Sequence, residues 1–116
     1  MATIGRGILQ KPAFDLFDAM RSYDVKKAAA QLADDASWTS PWSGGTLEGK
    51  AAIEAHLAAW LSDPKTRPSL TIRDVSGDGA VHRFGISVSG RFGQAPRFVT
   101  LSALVVQGKV HQVAIA

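Results

Sequence analysis

Residues 36–61, ASWTSPWSGGTLEGKAAIEAHLAAWL, decide the fold. Ala36 to Ser40 alternates, with Trp38 and Ser40 on one face, and Pro41 breaks the run as it breaks a strand. Ser43-Gly44-Gly45 is loop chemistry. A helix opens after Leu47-Glu48-Gly49 and runs over about 50–62. Ile53, Leu57, Trp60 and Leu61 recur on it at i, i+4, i+7 and i+8. Asp63-Pro64 closes it. A strand carrying tryptophan and a hydroxyl, a Gly-rich loop and an amphipathic helix in that order point to a small-molecule pocket roofed by a helix.

Upstream, Pro12 suits the first turn of a helix. Ala13, Leu16, Phe17 and Met20 share one face of a segment over about 12–22. Asp24 is placed to cap a second helix over about 25–34, ended by Asp34-Asp35, whose charges oppose the helix dipole there. Residues 1–11, with Gly-Arg-Gly at 5–7, read as a loosely ordered tail. Downstream the pattern is β. Strands are expected over about 69–76, 80–90, 97–107 and 110–116, with turns at Gly77-Asp78-Gly79 and Gly108-Lys109 and a loop over 91–96. On the second of these strands His82, Phe84, Ile86 and Val88 face one way. The third is apolar on both faces, so a homodimer through the outer sheet face is expected.

The chain has 116 residues, enough for one domain spanning 1–116, with 46% hydrophobic and 20% charged residues. No cysteine is present, which excludes disulfides, thiolate nucleophiles and Cys-ligated zinc. The first eleven residues lack the apolar core of a signal peptide, and no apolar run reaches the roughly 20 residues of a membrane span. A cytoplasmic protein without membrane contact is expected. Net charge is +3, but the thirteen Lys and Arg are scattered and only Lys26-Lys27 are adjacent. Nucleic-acid binding wants a stripe of cations with stacking aromatics, so it is not expected.

Three helices followed by strands indicate an α+β fold, a curved antiparallel sheet wrapped around three N-terminal helices. The order of elements, with Ala36–Pro41, Leu47-Glu48-Gly49-Lys50 before Ala52-Ile53, the hairpin at 77–79 and Gly108-Lys109-Val110, resembles the nuclear transport factor 2-like superfamily and its SnoaL-like group over about residues 12–116. The resemblance implies a cone-shaped pocket inside the sheet. It also implies a fold that serves isomerases, polyketide cyclases, epoxide hydrolases, dehydratases and transport adaptors, and fold alone does not choose among them.

Carried over residue by residue, the family's acids are missing. Ketosteroid isomerases place a carboxylate base before the first strand's proline, where this chain has Ser40. They place a protonated acid on the penultimate strand, nearest here to Ser102, and a tyrosine on helix one, where Phe14 and Phe17 stand. SnoaL-like cyclases use an acid near the end of the last strand, and none follows Lys109.

His82 is the candidate catalytic group, as a base or a hydrogen-bond donor, against the alternative of a strand-end histidine near solvent. The expected ligand-binding residues are Trp38, Ser40, Trp42, Phe84, Ile86, Phe98, Thr100, Ser102 and Val113. Trp42 is placed at the pocket mouth, and Trp60 in the core. His56 is expected half-exposed, and His111 either reaches the cavity or caps a turn. Asp15, Asp18 and Glu54 read as solvated helix faces. Three histidines on separate elements have no metal-ligand spacing, so neither metal nor cofactor is expected. A Ser40–His82 dyad lacks any nucleophile-elbow motif and is rejected. The expected function is binding of a small hydrophobic molecule, by an isomerase, cyclase or hydrolase or by a non-catalytic binding or dimeric assembly module.

Overall fold

The computed structural model describes residues 2–65, 67–89 and 95–116. Helix α1 spans Ala2–Arg21, α2 Val25–Ala30 and α3 Lys50–Leu61. Six strands follow or interleave: β1 Leu32–Ser40, β2 Gly45–Glu48, β3 Ser69–Asp78, β4 Val81–Ser89, β5 Arg97–Val106 and β6 Lys109–Ile115. They form one sheet in the order β2-β1-β6-β5-β4-β3. Every neighbouring pair is antiparallel except β1 and β6, which run parallel. The β1–β6 connection therefore passes through α3 and the long meander, as a parallel pairing demands.

Helix α1 buries Ala13, Leu16, Phe17, Ala19 and Met20. It does not start at Pro12. Residues 2–11, expected as a tail, are helical, and Pro12 sits inside the helix. Proline there lacks one intrahelical donor, which is tolerated at the cost of a local weakening. The chain leaves α1 through Tyr23 at φ 63, whose hydroxyl donates to the Pro68 carbonyl at 2.7 Å. Asp24 caps α2, accepting from the Lys27 N–H at 3.1 Å.

Helix α2 stops at Ala30, four residues before the expected end, and Asp34-Asp35 belong to β1. They occupy an irregular stretch. Leu32 pairs with Val110 and Ser37 with Gln112, so five steps along β1 match two along β6. Both aspartates are pushed out to solvent while Leu32 and Ala36 stay buried. The outward bulge is a place where charges cost little, and this overrides the end-of-helix reading.

The Gly-rich loop is also tighter than its composition implies. Residues 45–48 form a strand that pairs Gly45 with Ser40 and Leu47 with Trp38, and Gly49 at φ 94 turns the chain into α3. The meander turns are short. The β3–β4 turn is Gly79-Ala80 and not 77–79, because Gly77 and Asp78 still pair with His82 and Val81. The β5–β6 turn is Gln107-Gly108 and not Gly108-Lys109, with both residues at positive φ as a primed two-residue turn requires. Of the expected loop over 91–96, residues 91–94 lie outside the described residues.

The core lies between the helices and one sheet face. On that inner face β4 contributes His82, Phe84, Ile86 and Val88; β5 Val99, Leu101 and Ala103; β6 Val110, Val113 and Ile115. Ile53, Leu57 and Leu61 of α3 pack over them. No helix among the described residues is long and apolar enough to cross a membrane.

Candidate functional site

One transverse row of the inner face organises the site. Trp38 of β1 is registered with Val113 of β6, Val113 with Ala103 of β5, and Ala103 with His82 of β4. All four are buried. Two large rings thus stand at the ends of a row whose middle carries small side chains. Trp38 and His82 are three strand spacings apart, about 14 Å. The adjacent row joins Phe84, Leu101 and Ile115. There Phe84 is closed off by helix α1: Phe14 meets it edge-on at 5.1 Å and Phe17 stacks on it at 6.0 Å.

Around Trp38 the rings form a continuous series. His56 of α3 lies 6.2 Å from Trp38 between ring centroids. His56 stacks on Trp60 at 5.9 Å, and Trp60 stacks on Trp42 at 5.2 Å. The Arg97 guanidinium sits 5.3 Å from the Trp42 ring, at cation–π range. Ser40 is buried, but its hydroxyl accepts from the Trp42 N–H at 3.2 Å and thereby fixes the turn after β1.

Among the described residues, three buried side-chain nitrogens have no hydrogen-bond partner: Trp38 Nε1, His56 Nε2 and His82 Nδ1. Such groups are uncommon because each forfeits its bond to water. Burial lowers the pKa of both His56 and His82 below the ordinary histidine value, so each imidazole is neutral at neutral pH. Among the described residues the only buried polar side chains are Ser40 and His82, and no group of three or more His, Asp or Glu is placed to hold a metal. The inner face therefore offers imidazole and indole nitrogens in an apolar setting. No described carboxylate joins them.

His82 also lines a cleft of about 520 Å³ at one end of the sheet, bounded by Pro12, Gly79, Ala80, Val105, Gln107 and Gly108. It lies one residue inside the start of β4, beside the cleft, yet only 4% of its surface is exposed.

The structure brings Trp38, Ser40, Phe84, Ile86, Val113 and His82 to the inner face and corrects three other positions. Phe98 is 60% exposed, with the Arg73 guanidinium 4.4 Å from its ring centroid. Thr100 is exposed, and Ser102 lines a shallow outer groove with Val81, Leu104, Gln112 and Ala114. All three face away from the helices. With apolar residues on both faces of β5, the sequence carries no parity signal, and a shift of one residue exchanges the faces. His111 points to Asp35 at 3.8 Å on the surface. His56 is the group the sequence reading undervalued. Its i, i+4 spacing to Trp60 was the available signal, since residues so spaced share a helix face.

Residues 13–110 match the pattern of the SnoaL-like domain. The chain belongs to the SnoaL-like domain family. Solved structures agree on the fold. A candidate polyketide cyclase from Sinorhizobium meliloti superposes with a TM-score of 0.80 at 23% identity, covering 91% of this chain and 94% of that one. An NTF2-like protein of unknown function from Cytophaga hutchinsonii gives 0.75 at 9% identity, over 93% and 88%. A candidate ketosteroid isomerase from Kribbella flavida gives 0.77 at 20% identity, over 92% and 75%. No curated protein matches the chain. The SnoaL-like chain thus has the nuclear transport factor 2-like fold, shared by proteins of differing or unassigned activity.

Proposed function

We propose that this SnoaL-like chain binds a small hydrophobic molecule carrying one or two polar substituents, held between the inner face of the sheet and the helices. The observation that carries this reading is the set of three buried, unpartnered nitrogens on Trp38, His56 and His82. Trp38 belongs to the same buried apolar cluster as Phe84, Ile86 and Val113. A ligand with matching polar groups would recover the hydrogen bonds that the free protein forgoes.

In the catalytic form of this reading His82 handles the proton, as a neutral imidazole able to accept it. The family's carboxylate has no counterpart here. Ser40 holds its position, and the Ser40 hydroxyl is engaged by the backbone. That substitution favours the second form, a binding protein without turnover. A thermal-shift screen of neutral apolar ring compounds tests binding. A ligand at a hundred times its Kd stabilises by about 2.7 kcal/mol. Absence of any shift across the screen would remove the proposal. If a hit is also converted, His82→Ala abolishes conversion while the protein stays folded.

The outer face supports a homodimer. Phe98 is exposed there, and the same face carries the groove lined by Val81, Ser102, Leu104, Gln112 and Ala114. Sedimentation at micromolar concentration is expected to give twice the chain mass.

A further inference from the structure

The cleft at the His82 end differs from the aromatic series at the Trp38 end in one respect that bears on ligand chemistry. Helix α1 contributes Pro12, the β3–β4 turn contributes Ala80, and the β5–β6 turn contributes Gly108. The β3–β4 turn is tied to the end of β5, because the Val105 N–H donates to the Ala80 carbonyl at 2.9 Å. The wall is largely apolar, Gln107 being its other polar residue among those described, and His82 supplies a buried nitrogen, Nδ1, with nothing bonded to it. Among the described residues, no lysine, arginine or carboxylate lines the cleft.

We propose that this cleft binds the ring of a neutral hydroxyl-bearing molecule, a phenol or an alicyclic alcohol, whose hydroxyl bonds to His82 Nδ1. This deepens the proposed function and rests on it.

The selectivity follows from the lining. A neutral imidazole has one N–H and one bare nitrogen, and Nδ1 is either of these depending on the tautomer. A hydroxyl donates and accepts, so it satisfies Nδ1 in both tautomers. A carbonyl or ether serves only one of them. A carboxylate would enter a largely apolar cleft with no cation among its described residues, and the desolvation of the charge opposes binding. A hydrocarbon ring fills the volume and leaves Nδ1 unpaired. Burial keeps the His82 imidazole neutral at neutral pH, consistent with a neutral partner.

The experiment uses the full chain with three probes of one shape: 2-naphthol, naphthalene and 2-naphthoate. Affinities come from titration. The location comes from nitrogen NMR of the histidine side chains and from amide shifts. The expected result is that 2-naphthol binds about tenfold more tightly than either analogue, the scale of one net hydrogen bond. The His82 ring nitrogens and the amides of Ala80, Val105 and Gly108 respond. His82→Phe brings naphthol and naphthalene to equal affinity. Val105→Phe, which fills the cleft and leaves His82 in place, abolishes naphthol binding and guards against a misfolded His82 variant.

Naphthol binding that moves His56 and Trp38 but not His82 would overturn this inference and leave the proposed function standing. Equal affinity for the three probes, or preference for 2-naphthoate, would also overturn it. No binding of any probe, together with a blank thermal-shift screen, would remove both.

Discussion

The indole of Trp38 and the imidazole of His56 lie 6.2 Å apart at an angle of 59°, and neither Trp38 Nε1 nor His56 Nε2 has a hydrogen-bond partner. One ring comes from the middle of β1 and the other from α3, so sheet and helix meet over two unpaired polar atoms. A structural core would place aliphatic side chains here at lower cost.

Trp38→Phe is therefore expected to be tolerated. It removes an unpaired donor, which offsets part of the lost packing. Trp38→Ala opens a large void and costs about 3–5 kcal/mol. Urea melts of the two variants check the difference. A Trp38→Phe loss as large as that of Trp38→Ala would mean that the indole nitrogen is paired in the free protein.

Stability depends on pH through His56 and His82. Burial lowers both pKa values in the folded state, against an unfolded value of about 6.5. Well above that pH neither state is protonated, and the two groups leave stability unchanged. As pH falls through about 6.5 the unfolded chain takes up protons first, and stability declines. Between pH 7.5 and 5 the wild-type melting temperature is expected to drop more than that of His56→Phe/His82→Phe. Equal drops in calorimetry would refute the assignment.

The two phenylalanines of adjacent strands should behave oppositely. Phe84 is fully buried, and its replacement by alanine costs about 3–5 kcal/mol. Phe98 is exposed, so Phe98→Ala changes monomer stability by no more than about 0.5 kcal/mol. Denaturant melts at low protein concentration separate the two. Phe98→Asp is further expected to shift sedimentation from dimer to monomer, since it puts a charge on the proposed interface. A dimer unaffected by that charge would place the contact elsewhere.

At Asp24 the expected effect is local. Its carboxylate accepts from the Lys27 N–H, and α2 has only six residues. Asp24→Ala is expected to cost about 1 kcal/mol, and Asp24→Ser to restore most of it. Circular dichroism melts report both. No loss in the alanine variant would show that α2 is held by packing of Ala28 and Ala29 alone.

Much of the fold was legible in the chain. The apolar spacing of Ala13, Leu16, Phe17 and Met20, and of Ile53, Leu57 and Leu61, marked the buried faces of α1 and α3, because helical periodicity is a local property. Trp60, expected in the core, is only partly buried and stacks on Trp42 and His56. The alternation from His82 to Val88 likewise gave the inner face of β4. Strand β2 was missed because Gly45-Thr46-Leu47-Glu48 has almost no apolar content. Only its pairing with β1 makes it a strand.

The site was legible as residue types and not as an arrangement. Trp38 and His82 were singled out from their own strands, but that they end one row was not visible, since register across four strands is a long-range property. On β5 the inward and outward sets are both apolar, and Phe98 was assigned to the wrong side for that reason. The sequence by itself determined the helical faces and that tight hairpins join the later strands, because each depends on a few neighbouring residues. Only the tertiary structure decided which face of β5 meets the helices, that His56 joins Trp38, and that three ring nitrogens are buried without partners. Those outcomes depend on how strands from distant parts of the chain align and on what the helices then cover.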